Sequence, residues 1–311
     1  MERSSFKAAT IGRGSPGAAR VLGHRDHWSR LWDGAYDGNM APLDAKRDAL
    51  LAALQQLESC AVAYSGGVDS AVVAQAAFLA LGERAVAVTG TSASLAAGEL
   101  EMAEQVARQI GIRHVVVRTD ELNKTAYTRN APDRCYHCKT ELYTQLERLL
   151  PELGVRAIVN GANADDLGDY RPGMQAASEH RIHSPLADCG LTKADVRELA
   201  RSWNLPVWDK PATPCLSSRI AYGEAVTPER LAMIDAAEQF LRGRRLANLR
   251  VRYHAGDLAR IEIPLADLPQ LCAADLRREL TAELRRLGFK FVTLDLEGFR
   301  SGSLNQLVQI G

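Results

Sequence analysis

The chain has 311 residues, of which 46% are hydrophobic and 24% charged, enough for about two globular domains with a sizeable core. Basic and acidic residues each number 38, so the overall charge attracts neither nucleic acid nor an anionic membrane surface. No apolar run is long enough to span a bilayer and no secretory leader is evident, so we expect a cytoplasmic protein. In that setting six cysteines indicate reduced thiols, metal ligands or reactive groups rather than a disulfide framework.

The first 39 residues differ in composition and hydrophobic pattern from the rest of the chain. They are rich in arginine, glycine, serine and alanine and show no sustained hydrophobic period, which predicts a disordered extension over residues 1–39. Met40 directly precedes the first helical pattern, so an alternative translation start there stays open. We favour a dispensable tail over a short amphipathic interaction segment. The residues that such a segment would use are His24, His27, Trp28 and Trp32.

From Leu43 onward the hydrophobic pattern alternates between helical and strand periods. Strands that are apolar on both faces and alternate with helices are typical of an α/β fold with a doubly wound parallel sheet. The predicted strands are residues 60–65, 85–90, 114–119 and 157–161, and the predicted helices are residues 43–57, 68–81, about 95–110 and one that ends at Leu150.

A smaller α+β region is predicted after Ser218. Its predicted elements are a helix from Pro228 to about Leu241, strands over residues 249–254, 259–264 and 291–296, and helices through Leu287. We therefore expect a first domain over residues 40–213 and a second domain over residues 214–311.

The segment Ser65–Ser70, SGGVDS, joins the first strand to a helix. Glycine tolerates positive φ, so the chain can turn tightly at Gly66 and Gly67 and direct successive N–H groups into a concavity that suits phosphate. The helix that starts at Val68 adds unpaired N–H groups and a positive dipole end, the serines add hydroxyls, and Asp69 can hold Mg²⁺. No lysine follows the second glycine, so this is not the common P-loop. An ordinary glycine-rich turn is the less favoured alternative.

Two further loops are expected to meet this turn, because ligands of parallel sheets bind beyond the carboxyl ends of the strands. The loop after the second strand offers backbone groups for adenine or ribose, and the loop after the fourth offers carboxylates near magnesium or substrate. The alternative is that these residues merely suit turns. The residues concerned are Thr89, Gly90, Thr91, Gly161, Asn163, Asp165 and Asp166.

Three cysteines can meet around one metal. Cys135 and Cys138 form a C-x-x-C in a loop at the start of a helix, and Cys215 follows a proline-rich turn. Three thiolates are one ligand short of a closed zinc site, which His137 could complete, or of a fully ligated four-iron cluster, which would keep one iron open. A redox or chance pair is the alternative for the C-x-x-C. The other cysteines, predicted to be small buried hydrophobes, are Cys60, Cys189 and Cys272.

Taken together, the motifs resemble the LarE-type ATP-dependent sulfur transferases of the PP-loop, or ATP pyrophosphatase, superfamily. They are SGGVDS, RCYHCK (134–139), NGANADDLGDYRPG (160–173), KPATPCLSSR (210–219), RVRYH (250–254) with RIEI (260–263), and FVTLDLEGFRSGSLN (291–305). The resemblance covers the chain from about Met40 to its last residues. It implies that residues 40–213 are a PP-loop ATP pyrophosphatase domain and residues 214–311 a domain for substrate and sulfur transfer.

The resemblance also implies a reaction. With ATP and Mg²⁺, a carboxylate of pyridinium-3,5-biscarboxylic acid mononucleotide is adenylylated and then converted to a thiocarboxylate, for the nickel-pincer nucleotide cofactor of lactate racemase. Ser65, Asp69 and Cys215 are the residues expected to carry the catalysis. The family's proteins form symmetric homo-oligomers, and a separate donor supplies sulfide.

The family has two subtypes that differ in their cysteines. In one, a lone cysteine at the position of Cys215 gives up its own sulfur and becomes dehydroalanine. In the other, that cysteine and a C-x-x-C pair hold a [4Fe–4S] cluster whose open iron carries an extra sulfide. Because this chain has Cys135 and Cys138 as well as Cys215, the resemblance implies the second subtype, which turns over repeatedly.

The substrate is expected to contact residues near Cys215 and in the second domain. Arg250 and Arg252 alternate along a strand, so they share a face and can clamp a phosphate. The family uses such arginines, with an acidic residue on the preceding helix, for the nucleotide side of the substrate. Solvated charges on a strand and on a helix surface are the alternative. The expected residues are Ser217, Ser218, Arg219, Glu238, Arg250 and Arg252.

Two other functions stay open at this point. A PP-loop tRNA thiolase would use the same activation and three cysteines, but it needs a basic surface or an RNA-binding module, and the chain is neutral. A non-catalytic adenine-nucleotide-binding regulator with a structural zinc site would explain the cysteines but would leave SGGVDS without a reaction.

Overall fold

Two β-sheets form the framework of the chain in a computed structural model, which describes residues 42–168, 172–246, 248–300 and 304. The extension predicted over residues 1–39 lies outside these residues. In the described ranges, no helix is both long enough and apolar enough to cross a membrane.

The first sheet has four parallel strands in the order β3-β2-β1-β4. They are β1 (Cys60–Ala63), β2 (Ala85–Thr91), β3 (Arg113–Arg118) and β4 (Ala157–Val159). The helices along this part of the chain are α1 (Leu43–Gln56), α2 (Val68–Leu81), α3 (Glu99–Ile110), α4 (Thr125–Thr128), α5 (Arg134–Leu153), α6 (Pro172–Glu179), α7 (Pro185–Asp188) and α8 (Lys193–Ser202). The predicted α/β class with a parallel sheet is confirmed.

The strand β1 lies at the point where the strand order reverses, because β2 pairs with one of its edges and β4 with the other. A crevice opens beyond the carboxyl end of a strand in this position. The helix α2 follows β1 directly and is buried nearly all round, since it packs against the sheet, α1 and α8. Its run of valines and alanines suits that environment, as small apolar side chains allow close packing. The α2 N-terminus is therefore held rigidly at the crevice.

The second sheet has the order β5-β6-β7, with an antiparallel and then a parallel pairing. Its strands are β5 (Arg250–His254), β6 (Leu258–Glu262) and β7 (Phe291–Leu294), and its helices are α9 (Pro228–Arg242), α10 (Leu268–Cys272) and α11 (Ala274–Arg286). An apolar core that includes Leu231, Val251 and Leu284 joins α9 and α11 to these strands. The two sheets lie on either side of the predicted boundary at residue 213, which stays a prediction.

Several predicted element boundaries are wrong in ways that affect the site. The C-x-x-C lies inside the first turn of α5 rather than in a loop. Thr89–Thr91 forms the end of β2, where it pairs with β3, rather than a loop after the strand. The helix expected from about residue 95 begins at Glu99, because Gly98 has a φ of 83° that ends the preceding turn.

The lone cysteines divide between core and surface. Cys60 is fully buried, as predicted, and Cys189 is half-buried. The prediction for Cys272 is wrong, because this residue is exposed at the end of α10.

Candidate active site

The turn Ser65–Ser70 is a closed, internally hydrogen-bonded loop. Gly66 has a φ of 70°, and a Cβ at this position would lie 2.8 Å from Cβ of Ala103 on α3, so glycine is required on two counts. The Ser70 hydroxyl donates to the Gly67 carbonyl oxygen at 3.1 Å and accepts from the Ser65 N–H at 3.2 Å. Gly67 and Val68 lead directly into α2, whose first N–H groups have no intrahelical partner. The turn therefore leads into the free N–H groups of the α2 N-terminus, where the sequence predicts a phosphate-binding concavity; phosphate binding itself stays a prediction.

Asp69 is the centre of a polar cluster beside this turn. Its Oδ1 accepts a hydrogen bond from Nδ2 of Asn163 at 3.1 Å, and its Oδ2 pairs with Nζ of Lys193 at 2.5 Å. Gly161 approaches so closely that an added Cβ would lie 2.8 Å from the Ser70 nitrogen. The structure therefore brings the loop after β4 to the turn, as predicted.

The two carboxylates after β4 fasten this loop. Oδ2 of Asp165 accepts from the Lys193 N–H at 2.8 Å, and Oδ2 of Asp166 accepts from the Asn163 N–H at 3.0 Å. Their described contacts thus position Asn163 and Lys193, the two residues that hold Asp69. A role of either carboxylate at magnesium stays a prediction.

Lys193 was missed by sequence reasoning. Thr192 and Asp195 form a capping box at the start of α8, and this pattern alone places Lys193 in the first helical turn. Asp195 also pairs with Nζ of Lys46 on α1 at 2.7 Å, which anchors the helix. Nothing in that local pattern indicates that the lysine side chain reaches Asp69.

The described side-chain contacts of Thr89–Thr91 are with β3 and α5, not with the turn Ser65–Ser70. The Thr89 hydroxyl lies 2.8 Å from Nε2 of His114 on β3, and a Cβ at Gly90 would lie 2.8 Å from Cδ1 of Leu142 on α5. These contacts stabilise the sheet and its packing against α5. Contact of the Thr89–Thr91 backbone with adenine stays a prediction.

The three predicted metal-binding cysteines all act electrostatically on one lysine, Lys139. Cys135 is exposed, and Cys138 and Cys215 are half-buried. Burial lowers the pKa of Lys139, but Tyr143 and the thiols of Cys138, Cys135 and Cys215 outweigh this effect and raise it. Burial also raises the pKa of Cys138 to about 12. The C-x-x-C and the distant Cys215 therefore belong to one electrostatic environment.

A second cationic side chain, Arg134, is influenced electrostatically by Cys135 and Cys215. Arg134 is 4% exposed, and its Nη1 donates to Oδ1 of Asn130 and to the Ser217 carbonyl oxygen, the latter at 2.8 Å. Its pKa is lowered by burial but raised overall by Cys215 and Cys135. Deprotonated cysteines would neutralise both this guanidinium and the Lys139 ammonium group. The residue types present therefore suit a metal bound by thiolates. The described side chains nevertheless include no group of three or more His, Cys, Asp or Glu arranged to hold a metal ion.

Arg219 and Glu238 form a fully buried ion pair next to Cys215. Nε of Arg219 lies 3.1 Å from Oε1 of Glu238, and both side chains are 0% exposed. Nη1 of Arg219 donates to the Cys215 carbonyl oxygen at 3.0 Å, and Arg242 contacts the other Glu238 oxygen at 2.7 Å. Glu238 is thus not a surface residue, and it ties the Cys215 segment to α9.

Arg250 and Arg252 are buried rather than solvated. Arg252 pairs with Glu262 at 2.8 Å and donates to the Ser218 carbonyl oxygen at 3.1 Å. Arg250 instead donates to carbonyl oxygens, including that of Ala212 at 3.0 Å, and among the described residues it has no ion-pair partner. Burial, and then repulsion by Arg219, lower its pKa to about 10. This guanidinium is therefore the least compensated cation of the second sheet.

The two serines beside Cys215 have structural partners. The Ser217 hydroxyl is fully buried and lies 2.6 Å from the Tyr127 hydroxyl, and the Ser218 hydroxyl accepts from Nη1 of Arg219 at 3.2 Å. A direct contact of either serine with substrate stays a prediction.

The fold and the turn define an ATP-utilising enzyme of the PP-loop superfamily. The chain is 37% identical over 267 residues to the pyridinium-3,5-bisthiocarboxylic acid mononucleotide synthase of Lactiplantibacillus plantarum, a match that covers 86% of this chain and 96% of that protein. The chain therefore belongs to the family of LarE-type ATP-dependent sulfur transferases. No family model matches it.

Two further relatives match the chain over different shares of its length. An uncharacterized protein of Synechocystis sp., slr1717, is 45% identical over 266 residues, which cover 86% of this chain and 99% of that protein. A tRNA-specific 2-thiouridylase MnmA of Xanthobacter autotrophicus is 31% identical over 189 residues, but these cover only 48% of each chain. The tRNA thiolases are thus distant relatives within the superfamily, and membership of an enzyme family disfavours the non-catalytic regulator.

Proposed function

We propose that this chain adenylylates a carboxylate of pyridinium-3,5-biscarboxylic acid mononucleotide with ATP and replaces an oxygen of that carboxylate with sulfur. The product is a thiocarboxylate of the nickel-pincer cofactor pathway. The observation that carries the proposal is the hydrogen bond of 2.8 Å from Arg134, beside Cys135, to the Ser217 carbonyl oxygen, which brings the C-x-x-C helix to the Cys215 segment in a chain that also has the SGGVDS turn. The relative from Lactiplantibacillus plantarum bears the name of the corresponding synthase.

Activation must come first, because a carboxylate is a poor electrophile with no good leaving group. A carboxylate oxygen attacks the α-phosphorus of ATP, and the bond from that phosphorus to pyrophosphate breaks. The N–H groups at Gly67 and the α2 N-terminus would stabilise the charge that develops on pyrophosphate. Sulfur then attacks the acyl carbon, and the carbon–oxygen bond to AMP breaks.

Magnesium and Lys193 would share this site. A Mg²⁺ ion prefers carboxylate oxygen, and Asp69 would supply it at the start of α2. Lys193, which pairs with Asp69 at 2.5 Å, would then turn its ammonium group to the phosphates. This exchange keeps a positive charge beside the turn throughout the reaction.

Arg250 and Arg252 would hold the phosphate of the substrate mononucleotide. Arg250 suits this role because its charge is buried without an ion-pair partner in the described residues, so that a bound phosphate would supply the missing anion. Glu238 would act indirectly, by fixing Arg219 and the Cys215 segment.

For the sulfur source we propose the three-cysteine subtype. When bound, a [4Fe–4S] cluster on Cys135, Cys138 and Cys215 supplies an open iron at which a sulfide from a separate donor can be carried. Arg134 and Lys139 would compensate the negative charge of the three thiolates. A structural zinc ion and loss of the Cys215 sulfur are the outcomes that compete with this assignment.

We also infer that the protein forms a homo-oligomer and that its two domains cover residues 40–213 and 214–311.

The test is substrate-dependent pyrophosphate release followed by mass spectrometry of the nucleotide. Purified protein, reconstituted with iron and sulfide without oxygen, is expected to form AMP, pyrophosphate and thiocarboxylate only when ATP, Mg²⁺ and the dicarboxylate mononucleotide are all present. Asp69→Asn is the matched inactive control, because it removes the charge but not the shape. Release of pyrophosphate with a tRNA and not with the mononucleotide would refute the proposal in favour of a thiolase.

A further inference from the structure

Glu121 is a buried carboxylate that the proposed chemistry does not use. It lies in a short 3₁₀ turn, Glu121–Asn123, and is 2% exposed. Its Oε1 accepts hydrogen bonds from the hydroxyls of Ser92 at 2.5 Å and Ser94 at 3.3 Å. Its Oε2 is buried and has no hydrogen-bond partner among the described residues.

The serines that Glu121 holds belong to the loop between β2 and α3, and this loop contacts the Cys215 segment. The carbonyl oxygen of Ser94 accepts from the Leu216 N–H at 2.8 Å, one residue after Cys215. One residue, Ser94, therefore connects the Glu121 carboxylate to the segment that carries the third sulfur, through one hydrogen bond on each side.

Glu121 also lies close to the C-x-x-C side of the site. Leu122, the next residue along the chain, packs in the same apolar cluster as Cys138 and Leu216. Tyr127 belongs to this cluster too, and its hydroxyl lies 2.6 Å from the Ser217 hydroxyl. Glu121 is thus linked to the Cys215 segment through Ser94 and adjoins a residue that packs with Cys138.

A buried carboxylate with one unpartnered oxygen is less favourable for folding than one with both oxygens hydrogen-bonded. We propose that Glu121 is a positioning residue of the sulfur site, which holds the β2–α3 loop against Leu216 and thereby fixes Cys215 relative to Cys138. This inference rests on the proposed function, in which those two sulfurs act together.

The unpartnered oxygen determines which variants test the idea. Only Oε1 takes part in the serine contacts, so Glu121→Gln keeps an acceptor for both hydroxyls, whereas Glu121→Ala removes it. Glu141→Ala is the matched control, because Glu141 is 3% exposed and hydrogen-bonded nearby, to the Asp120 N–H at 3.1 Å, with no link to Ser94.

The measurement is the yield of a covalent link between Cys138 and Cys215, formed by a short bifunctional thiol reagent in a Cys135→Ser background and mapped by peptide mass. We expect Glu121→Ala to lower this yield at least five-fold, and Glu121→Gln and Glu141→Ala to keep it. Equal yields in Glu121→Ala and its parent would overturn the inference. So would no link in the parent, or equal losses in all three variants.

Iron uptake of the otherwise wild-type chain, measured in parallel, separates this inference from the proposed function. Iron content should fall in Glu121→Ala and persist in Glu121→Gln. If the wild-type chain binds no iron but the link still depends on Glu121, the cluster assignment fails and the positioning role stands.

Discussion

Lys193 and Asp69 form an ion pair beside the glycine-rich turn, with 2.5 Å between Nζ and Oδ2, although 124 positions separate them in the sequence. Asn163 takes the other carboxylate oxygen at 3.1 Å. Both oxygens of Asp69 therefore have protein partners, and a magnesium ion bound to this carboxylate would compete with the ammonium group for Oδ2. If displaced, Lys193 would remain beside the turn at which the phosphates of ATP are expected.

The first prediction concerns that lysine. Lys193→Met should lower the rate of substrate-dependent pyrophosphate release by about a hundred-fold, because one preorganised charge is lost from the transition state. Lys210→Met is the control, since Lys210 pairs with Glu99 at 2.8 Å and plays no part in the proposed site. Similar rates in the two variants would exclude a catalytic role for Lys193.

The second prediction concerns the buried pair beside Cys215. Glu238→Ala leaves Arg219 buried without its carboxylate and should reduce the free energy of unfolding by about 3–5 kcal/mol, measured in urea. Glu279→Ala breaks an exposed pair with Arg244 at 3.0 Å and should cost less than about 1 kcal/mol. Equal losses would mean that the Arg219–Glu238 pair contributes no more than a surface contact.

The third prediction uses the pH dependence of substrate binding. Burial, and then Arg219, lower the pKa of Arg250 to about 10, so its positive charge is present at neutral pH and is lost as the pH rises through about 10. Affinity for the mononucleotide should therefore fall through this range in the wild type. Arg250→Gln should bind weakly at neutral pH and lack this decline, whereas Arg285→Gln, at an exposed position of α11, should behave like the wild type. If the affinity of Arg250→Gln for the mononucleotide fell in the same way near pH 10, the decline would belong to the titration of another group.

The fourth prediction concerns the anchor of the helix that carries Lys193. Burial raises the pKa of Asp195, but hydrogen bonds from Lys46 and Thr192 outweigh it and hold this pKa below its ordinary value. The contribution to stability is thus present above the unfolded-state pKa and lost as the pH falls through the lower folded-state pKa. Asp195→Asn should cost about 1 kcal/mol at pH 7, and the difference from wild type should vanish in acid. A difference that persists in acid would contradict this account.

Local patterns were sufficient to predict the sheet, the turn and the family. SGGVDS needs only neighbouring residues to form its loop, and strands buried on both faces show continuous apolar runs. Lys193 and Glu121 were not predictable, because their partners Asp69 and Ser94 are distant in sequence and an isolated charged residue usually lies at the surface.

The burial of Arg250 and Arg252 also depends on residues far away, such as Glu262 and the carbonyl oxygen of Ala212. Period-two alternation placed both arginines on one face of β5 but did not reveal whether that face is covered. The helical C-x-x-C was missed because Arg134 is buried by its contact with Ser217, which lets α5 begin earlier than its apolar pattern indicates.

The most direct test of the central claim is the number of thiocarboxylate groups made per chain, with the intact mass of the protein measured before and after. Anaerobically reconstituted protein, given ATP, Mg²⁺, sulfide and the dicarboxylate mononucleotide, should make several per chain at unchanged protein mass, and Cys135→Ser should not. At most one per chain, with loss of the mass of hydrogen sulfide from Cys215, would contradict repeated transfer through the three cysteines. The absence of any thiocarboxylate would contradict the sulfur transfer itself.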